Sequence, residues 1–118
     1  MLKNCGLEID LSDSGIYARK PSRLKGSISV STMPYPGFAT DMQSLLMSVL
    51  SVTEGVGIIR ENIFENRFSM SQSLCNMGAE IRIYSRSASV RGVRNLSSSK
   101  ESVCDLRSGA ALAIAMMG

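Results

Sequence analysis

Histidine is absent from this 118-residue chain, and so is tryptophan. Without an imidazole there is no Ser-His or Cys-His nucleophile, no histidine general acid or base, and no histidine ligand for the common zinc sites. Aromatic residues make up only 5% of the chain. Leu, Ile, Val, Met and Ala must therefore fill the interior, with eight Met serving as adaptable filler. The three cysteines, Cys5, Cys75 and Cys104, are odd in number and far apart, with no C-x-x-C spacing. No signal-peptide pattern precedes them, so they read as reduced thiols of a cytoplasmic protein. The longest apolar run, Ala110 to Met117, is far shorter than the roughly 20 residues a bilayer span needs. No membrane contact is expected.

What is present describes a globular chain. Hydrophobic residues are 44% and charged residues 19%, enough apolar surface for one modest core. A formal net charge of +3 suits an anionic small molecule as well as nucleic acid and decides little between them.

Periodicity then assigns the elements. Residues 7–11 (LEIDL) and 16–20 (IYARK) alternate about the turn SDSG, predicting a hairpin, and GSISVST (26–32) predicts a further strand. Met42, Leu45, Leu46, Val49 and Leu50 fall at i, i+3, i+4, i+7 and i+8, which predicts a helix from Asp41 to Thr53 closed by Glu54-Gly55. Thr40 and Gln43 have the spacing of a capping box at its start, and Ser69 and Gln72 repeat that spacing before a short helix ending at Gly78. Between the helices lies a strand at 56–62. Two strands at 79–85 and 87–93 predict a second hairpin, followed by a polar loop over 95–102. A last helix begins at Asp105, apolar all round and without a C-terminal cap, as if cut off while still buried. On that ground the chain reads as a fragment. The order ββ-β-α-β-α-ββ-α, with two similar strand–helix units, implies α/β layering with helices packed on a sheet.

Several residues invite a chemical reading, each against a plainer one. Asp41 sits on a helix's first turn behind the stiff Pro34-Tyr35-Pro36-Gly37 loop. From the residues alone it is a first-turn stabiliser before it is a carboxylate aimed at a substrate. A helix N-terminus favours the ionised carboxylate, and burial would push the other way. Ile63 reads as a core strand residue. Arg67, between Phe64 and Phe68, reads as a buried ion-pair partner of Glu65 or Glu61. Asp105 is a good N-cap. Cys104 has no base beside it to make it a nucleophile. Arg82, Arg86, Arg91, Arg94 and Lys100 read as a solvated hairpin face rather than a nucleic-acid surface, because only Tyr84 interleaves with them.

Four strings then resemble a known family. YPGFATDMQ, EGVGIIRENIFENRF, MGAEIRI and CDLRSGAALAIA occur in the order and spacing of the UDP-N-acetylglucosamine 1-carboxyvinyltransferases. These are enolpyruvyl transferases that open peptidoglycan synthesis. IFENRF (63–68) separates them from their shikimate-pathway relatives. The resemblance implies two similar domains, each an inverted barrel of three βαβαββ units with the helices inside. Residues 1–118 would be one partial domain within the C-terminal half.

It also implies roles. Asp41 would bind the sugar nucleotide, orient its 3-hydroxyl and take its proton. Ile63 matches a position touching the uridine-sugar ligand. Arg107 would grip the carboxylate or phosphate of phosphoenolpyruvate in bidentate fashion, and Asp105 would be either catalytic or only the cap of its helix. UDP-N-acetylglucosamine and phosphoenolpyruvate would be the substrates. No cofactor, no metal, no nucleic-acid partner and no membrane are implied, and the rest of the enzyme is needed to complete the site. The family's reactive cysteine lies on a loop of the other domain, and none of Cys5, Cys75 and Cys104 substitutes for it. The chain alone is then expected to lack turnover. The rival expectations are a noncatalytic binding module and a degraded remnant that keeps the fold.

Overall fold

The alternation on either side of the Ser12–Gly15 turn does produce a hairpin. In the computed structural model, which describes residues 2–20, 22–100 and 105–117, β1 (Glu8–Ser12) pairs antiparallel with β2 (Gly15–Arg19), Leu11 opposite Ile16. Leu11, Ile16 and Tyr17 are exposed on it. After the hairpin, β3 (Ser29–Ser31), α1 (Gln43–Val52), β4 (Val56–Arg60), α2 (Ser71–Asn76), β5 (Glu80–Tyr84) and β6 (Ser87–Arg91) follow in order, and α3 (Leu106–Met117) ends the chain's described part. From β3 to β6 this is one βαβαββ unit.

Its sheet has the strand order β3-β4-β6-β5. The α1 crossover makes β3 and β4 parallel, Val30 opposite Ile59, while β4–β6 and β5–β6 are antiparallel. Period-two alternation then sorts the faces. Ile59, Ala88 and Val90 point inward and are fully buried, whereas Arg60, Arg82, Tyr84 and Arg91 lie on the exposed face. Ion pairs Arg91–Glu80 and Arg86–Glu65 occupy two arginines of the basic hairpin. As pairs exposed to solvent, each contributes at most about 1 kcal/mol.

Helix α1 lies on the inward face and is buried on nearly every side, serines included. The hydroxyls of Ser51 and Thr53 donate to the carbonyls of Met47 and Val49, and that of Ser48 donates across to Ala111 O of α3 at 2.8 Å. Polar side chains thus sit in the core without orphaned groups at those positions. Gly57 makes the sheet–helix contact possible. A Cβ there would stand 2.5 Å from Leu50 Cδ1. The second helix stops as expected at Gly78, whose φ of +98° suits glycine.

Two expectations fail at the helix starts. Neither α1 nor α2 has a side-chain cap bond. Thr40 donates to Glu61 Oε2 instead, and Gln72 donates to Asn76 Oδ1. The first turn before α1 is a 3-10 turn, Thr40–Met42, so Thr40 and Gln43 do not face each other as a capping box requires. The expectation of a last helix buried all round also fails for this chain. α3 buries only Ser108, Ala111, Leu112 and Ala115 against its neighbours, and Leu106, Met116 and Met117 are exposed. Among the described residues no helix is long and apolar enough to cross a membrane.

Candidate functional site

Glu61 organises the region of the conspicuous motifs. Only 1% of its surface is exposed, and its carboxylate accepts four hydrogen bonds. Oε1 takes Thr32 Oγ1 at 2.8 Å, Ile63 N at 2.9 Å and Phe64 N at 3.1 Å, and Oε2 takes Thr40 Oγ1 at 2.8 Å. Burial pushes its pKa up, and the bonds from Thr32, Ile63, Thr40 and Phe64 outweigh that, leaving it below the ordinary 4.5. Thr32 also receives the N–H of Asn62, so its own hydroxyl proton is committed to Glu61. One buried anion therefore holds the end of β3, the turn carrying Asp41 and the loop carrying Ile63. From sequence Glu61 is only a candidate partner for Arg67. Its signal, a glutamate ending an apolar strand between two threonine-bearing segments, becomes visible only when β3 and β4 are paired.

The N–H groups of Ile63 and Phe64, turned back to the Glu61 carboxylate, take Ile63 out of the strand. β4 ends at Arg60, and Ile63 is 37% exposed, so it is not the core strand residue its neighbours suggested.

Asp41 stands at the start of α1 with its side chain 69% exposed, which removes the burial half of the balance anticipated for it. Across 66 residues of chain, Arg107 Nη1 donates to its Oδ1 at 3.0 Å. Arg67 Nη1 lies 3.5 Å from the same oxygen, and its guanidinium stacks 4.2 Å from the centre of the Phe64 ring. Arg67 is thus partnered by Asp41, not by Glu65 or Glu61. Glu65 pairs with Arg86, and Glu61 is consumed by its four donors.

Asp105 caps α3. Its Oδ1 accepts from the backbone N–H of Arg107 at 2.9 Å and of Ser108 at 3.1 Å, and Ser108 Oγ donates to Oδ2 at 2.8 Å. These bonds from Ser108, side chain first, hold its pKa below the ordinary 3.8. The side chain of Arg107 is 42% exposed, and its Nε lies 3.5 Å from Asp105. Cys104 lies outside the described residues. Cys5 is buried and Cys75 half-buried, both with free thiols.

The N-terminal ends of α1 and α3 come together here, with the loop before α2 beside them, and leave a cleft of about 310 Å³. Arg67, Arg107, Asp105, Gln43, Ser44 and Phe64 contribute to its wall. Asp41 stands outside that wall, linked to it by the two guanidinium groups. Ile63 does not line it, although Glu61 ties both loops together. Two helix N-termini and two arginines give this hollow donors suited to an anion, with Asp105 and Glu65 as the carboxylates of the same wall. A larger, open groove of about 590 Å³ runs over the β1–β2 hairpin, away from all these residues.

The family model described as EPSP synthase (3-phosphoshikimate 1-carboxyvinyltransferase) matches residues 1–118. A UDP-N-acetylglucosamine 1-carboxyvinyltransferase of Nitratidesulfovibrio vulgaris (strain DP4) is 44% identical over 115 residues, covering 97% of this chain and 27% of that protein. One of the same name from Desulfofundulus thermocisternus is 44% identical over 114 residues, covering 97% of this chain and 46% of its own length. The chain therefore spans between about a quarter and a half of these curated relatives. In structure it is similar to the enolpyruvyl transferase NikO from Streptomyces tendae, with a TM-score of 0.80 at 24% identity over 97% of this chain and 26% of that one. EPSP synthase from Acinetobacter baumannii superposes with a TM-score of 0.64 at 14% identity over 96% of this chain and 28% of that one. These two likenesses concern the fold.

Proposed function

The chain belongs to the EPSP synthase family of enolpyruvyl transferases. From that premise we propose that it supplies part of a cytoplasmic UDP-N-acetylglucosamine 1-carboxyvinyltransferase, as one partial domain from the C-terminal half of such an enzyme. In that reaction the sugar 3-hydroxyl oxygen bonds to the phosphate-bearing carbon of phosphoenolpyruvate while the terminal carbon gains a proton. Loss of a proton from that carbon then expels inorganic phosphate and restores the double bond. Asp41 orients the hydroxyl and accepts its proton. Arg107 grips the carboxylate or phosphate of phosphoenolpyruvate, and Ile63 touches the uridine-sugar ligand. Asp105, engaged as the cap of α3, holds Arg107 in place through the helix it starts.

The observation that carries this reading is the meeting of Asp41, Arg67 and Arg107 at one oxygen. Three residues from three separate motifs gather at a helix-terminated cleft, a carboxylate next to cations that an anionic substrate can recruit. The family resemblance places the site between two domains and so leaves half of the donors such a transfer needs to another part of the enzyme; the isolated chain should therefore release no phosphate from phosphoenolpyruvate. Titration with UDP-N-acetylglucosamine, followed by amide NMR, tests the rest. Saturable shifts near Asp41 and Ile63 are expected, with affinity at least ~10-fold weaker in Asp41→Asn. A folded chain that ignores the sugar nucleotide, or clear turnover by the chain alone, overturns the proposal.

A further inference from the structure

A buried carboxylate with no cation beside it is a costly way to hold a fold together, because only the donors it collects offset its desolvation. Glu61 is such a group. It is fully enclosed, and among the described residues no lysine or arginine pairs with it, since Arg67 and Arg107 go to Asp41 and Arg86 goes to Glu65. Directional bonds supply what an apolar contact does not, a fixed orientation. The two oxygens divide between two segments. Oε2 takes the hydroxyl of Thr40, the residue before Asp41, and Oε1 takes the N–H groups of Ile63 and Phe64. The anchor is buried, whereas the Asp41 and Ile63 side chains carried by those segments are exposed.

Thr40 makes this more than a brace. A threonine at a helix start, three residues ahead of a glutamine, ordinarily caps the helix. Here its hydroxyl leaves α1 uncapped and goes to Glu61, and Thr40–Met42 forms a 3-10 turn. The loop in front is closed at its base by the Thr32–Phe38 bridge, where Met33 N donates to Phe38 O, and Thr32 is itself bonded to Glu61. The turn carrying Asp41 is thus set from the strand side and not by the helix it opens. We propose that Glu61 is a positioning residue that couples the Asp41 turn to the Ile63 loop through Thr40, so that a sugar nucleotide meets both side chains as one unit. Ordering either segment then orders the other, and the effect is reciprocal. The inference rests on the reading of Asp41 and Ile63 as sugar-nucleotide contacts and adds the buried group that places them.

Hydrogen exchange and ¹⁵N NMR titration of the full 118-residue chain test it, with UDP-N-acetylglucosamine as the probe. Thr40→Val removes one hydroxyl at nearly constant shape. Without ligand it should speed amide exchange at Ile63 and Phe64 at least ~10-fold more than at the amides of β6, although neither amide bonds to Thr40. With ligand it should weaken binding at least ~10-fold, and Thr40→Ser should restore affinity to within ~3-fold of the parent. Thr40→Val added to Asp41→Asn should cost no further affinity, because Thr40 acts through the placement of Asp41. A threonine that only stabilises the fold would speed exchange everywhere alike and leave the Kd of the folded chain unchanged; either result overturns the proposal. So does a loss that adds in full to that of Asp41→Asn. Unchanged exchange at Ile63 and Phe64 refutes the coupling alone, even where the sugar nucleotide binds. Coupled exchange in a parent chain that ignores the sugar nucleotide refutes the reading of Asp41 and Ile63 as its contacts instead.

Discussion

Replacing Glu61 with glutamine should destabilise the chain by about 3 kcal/mol, and the reasoning rests on which atoms lose what. The carboxylate is 1% exposed and accepts from Thr32, Ile63, Phe64 and Thr40. Hydrogen bonds to a charged acceptor contribute roughly 1.5–3 kcal/mol each, against roughly 0.5–1.5 for neutral pairs. Glutamine can keep its carbonyl toward the three donors at Oε1, while its amide donates to the Thr40 hydroxyl, which rotates to accept. The bonds then survive but lose their charge assistance. Four bonds weakened by about 1 kcal/mol each, less the burial penalty that the neutral amide no longer bears, give the figure. Glu61→Ala strands two backbone N–H groups and the committed Thr32 hydroxyl, so it should cost more, about 4 kcal/mol.

Linkage supplies a second, sign-specific readout. Glu61 has a folded-state pKa below its ordinary value, so the folded chain binds that proton less readily than the unfolded one. The stability this contributes is complete above the ordinary carboxylate range and drains away as pH falls through the depressed value. Urea unfolding followed by circular dichroism from pH 7 to pH 3 measures both effects. The parent should lose stability below about pH 4.5 more steeply than Glu61→Gln, whose remaining acid limb belongs to other carboxyls such as Asp105. A Glu61→Gln protein within about 0.5 kcal/mol of the parent, with the same acid limb, would refute the claim that this buried anion holds the three segments.

Other outcomes follow from single contacts. Gly57→Ala sets a methyl 2.5 Å from Leu50 Cδ1 in a residue only 1% exposed, and thermal unfolding should register a loss of about 2 kcal/mol from overpacking. Asp105→Ala should reduce helical circular dichroism through fraying of α3, while Asp105→Asn, which keeps a capping oxygen, should largely preserve it. Because Asp105 is held below 3.8 by its Ser108 bonds, its stabilising effect is present above that pH and vanishes as pH drops beneath it; equal melting of both variants and parent at neutral pH would contradict the capping geometry. Burial pushes the Cys5 thiol up, so at pH 8 alkylation located by mass spectrometry should reach Cys75 well before Cys5.

Much of the architecture needed no tertiary information. Apolar residues at i, i+3, i+4, i+7 and i+8 between Met42 and Leu50 require a helix with a buried stripe. Alternation on either side of Ser12–Gly15 and of Ser85-Arg86 requires hairpins, and the structure has both. The Asp105 cap is likewise local, because a carboxylate reaches N–H groups two and three residues ahead whatever surrounds it. The IFENRF string and its companions were enough to name the family, since motif identity does not depend on packing.

Partner choice was different. The Thr40/Gln43 spacing is that of a capping box, yet Thr40 turns to Glu61, 21 residues away, and Gln43 lies buried with its amide nitrogen unpaired. Arg67 passes over the adjacent Glu65 and the nearby Glu61 for Asp41, and Arg107 joins it from 66 residues further along. Ile63 leaves the strand because a buried anion captures its N–H. A side chain's local spacing states which bonds it can make. Which bond it does make depends on what the sheet order brings within 3 Å, because a buried ionised group gains more from distant donors than an exposed cap gains from near ones. The elements and the family were determined by the sequence itself. The carboxylate–arginine cluster and its orphaned donors exist only where the parallel β3–α1–β4 crossover and the docking of α3 put the two helix starts side by side.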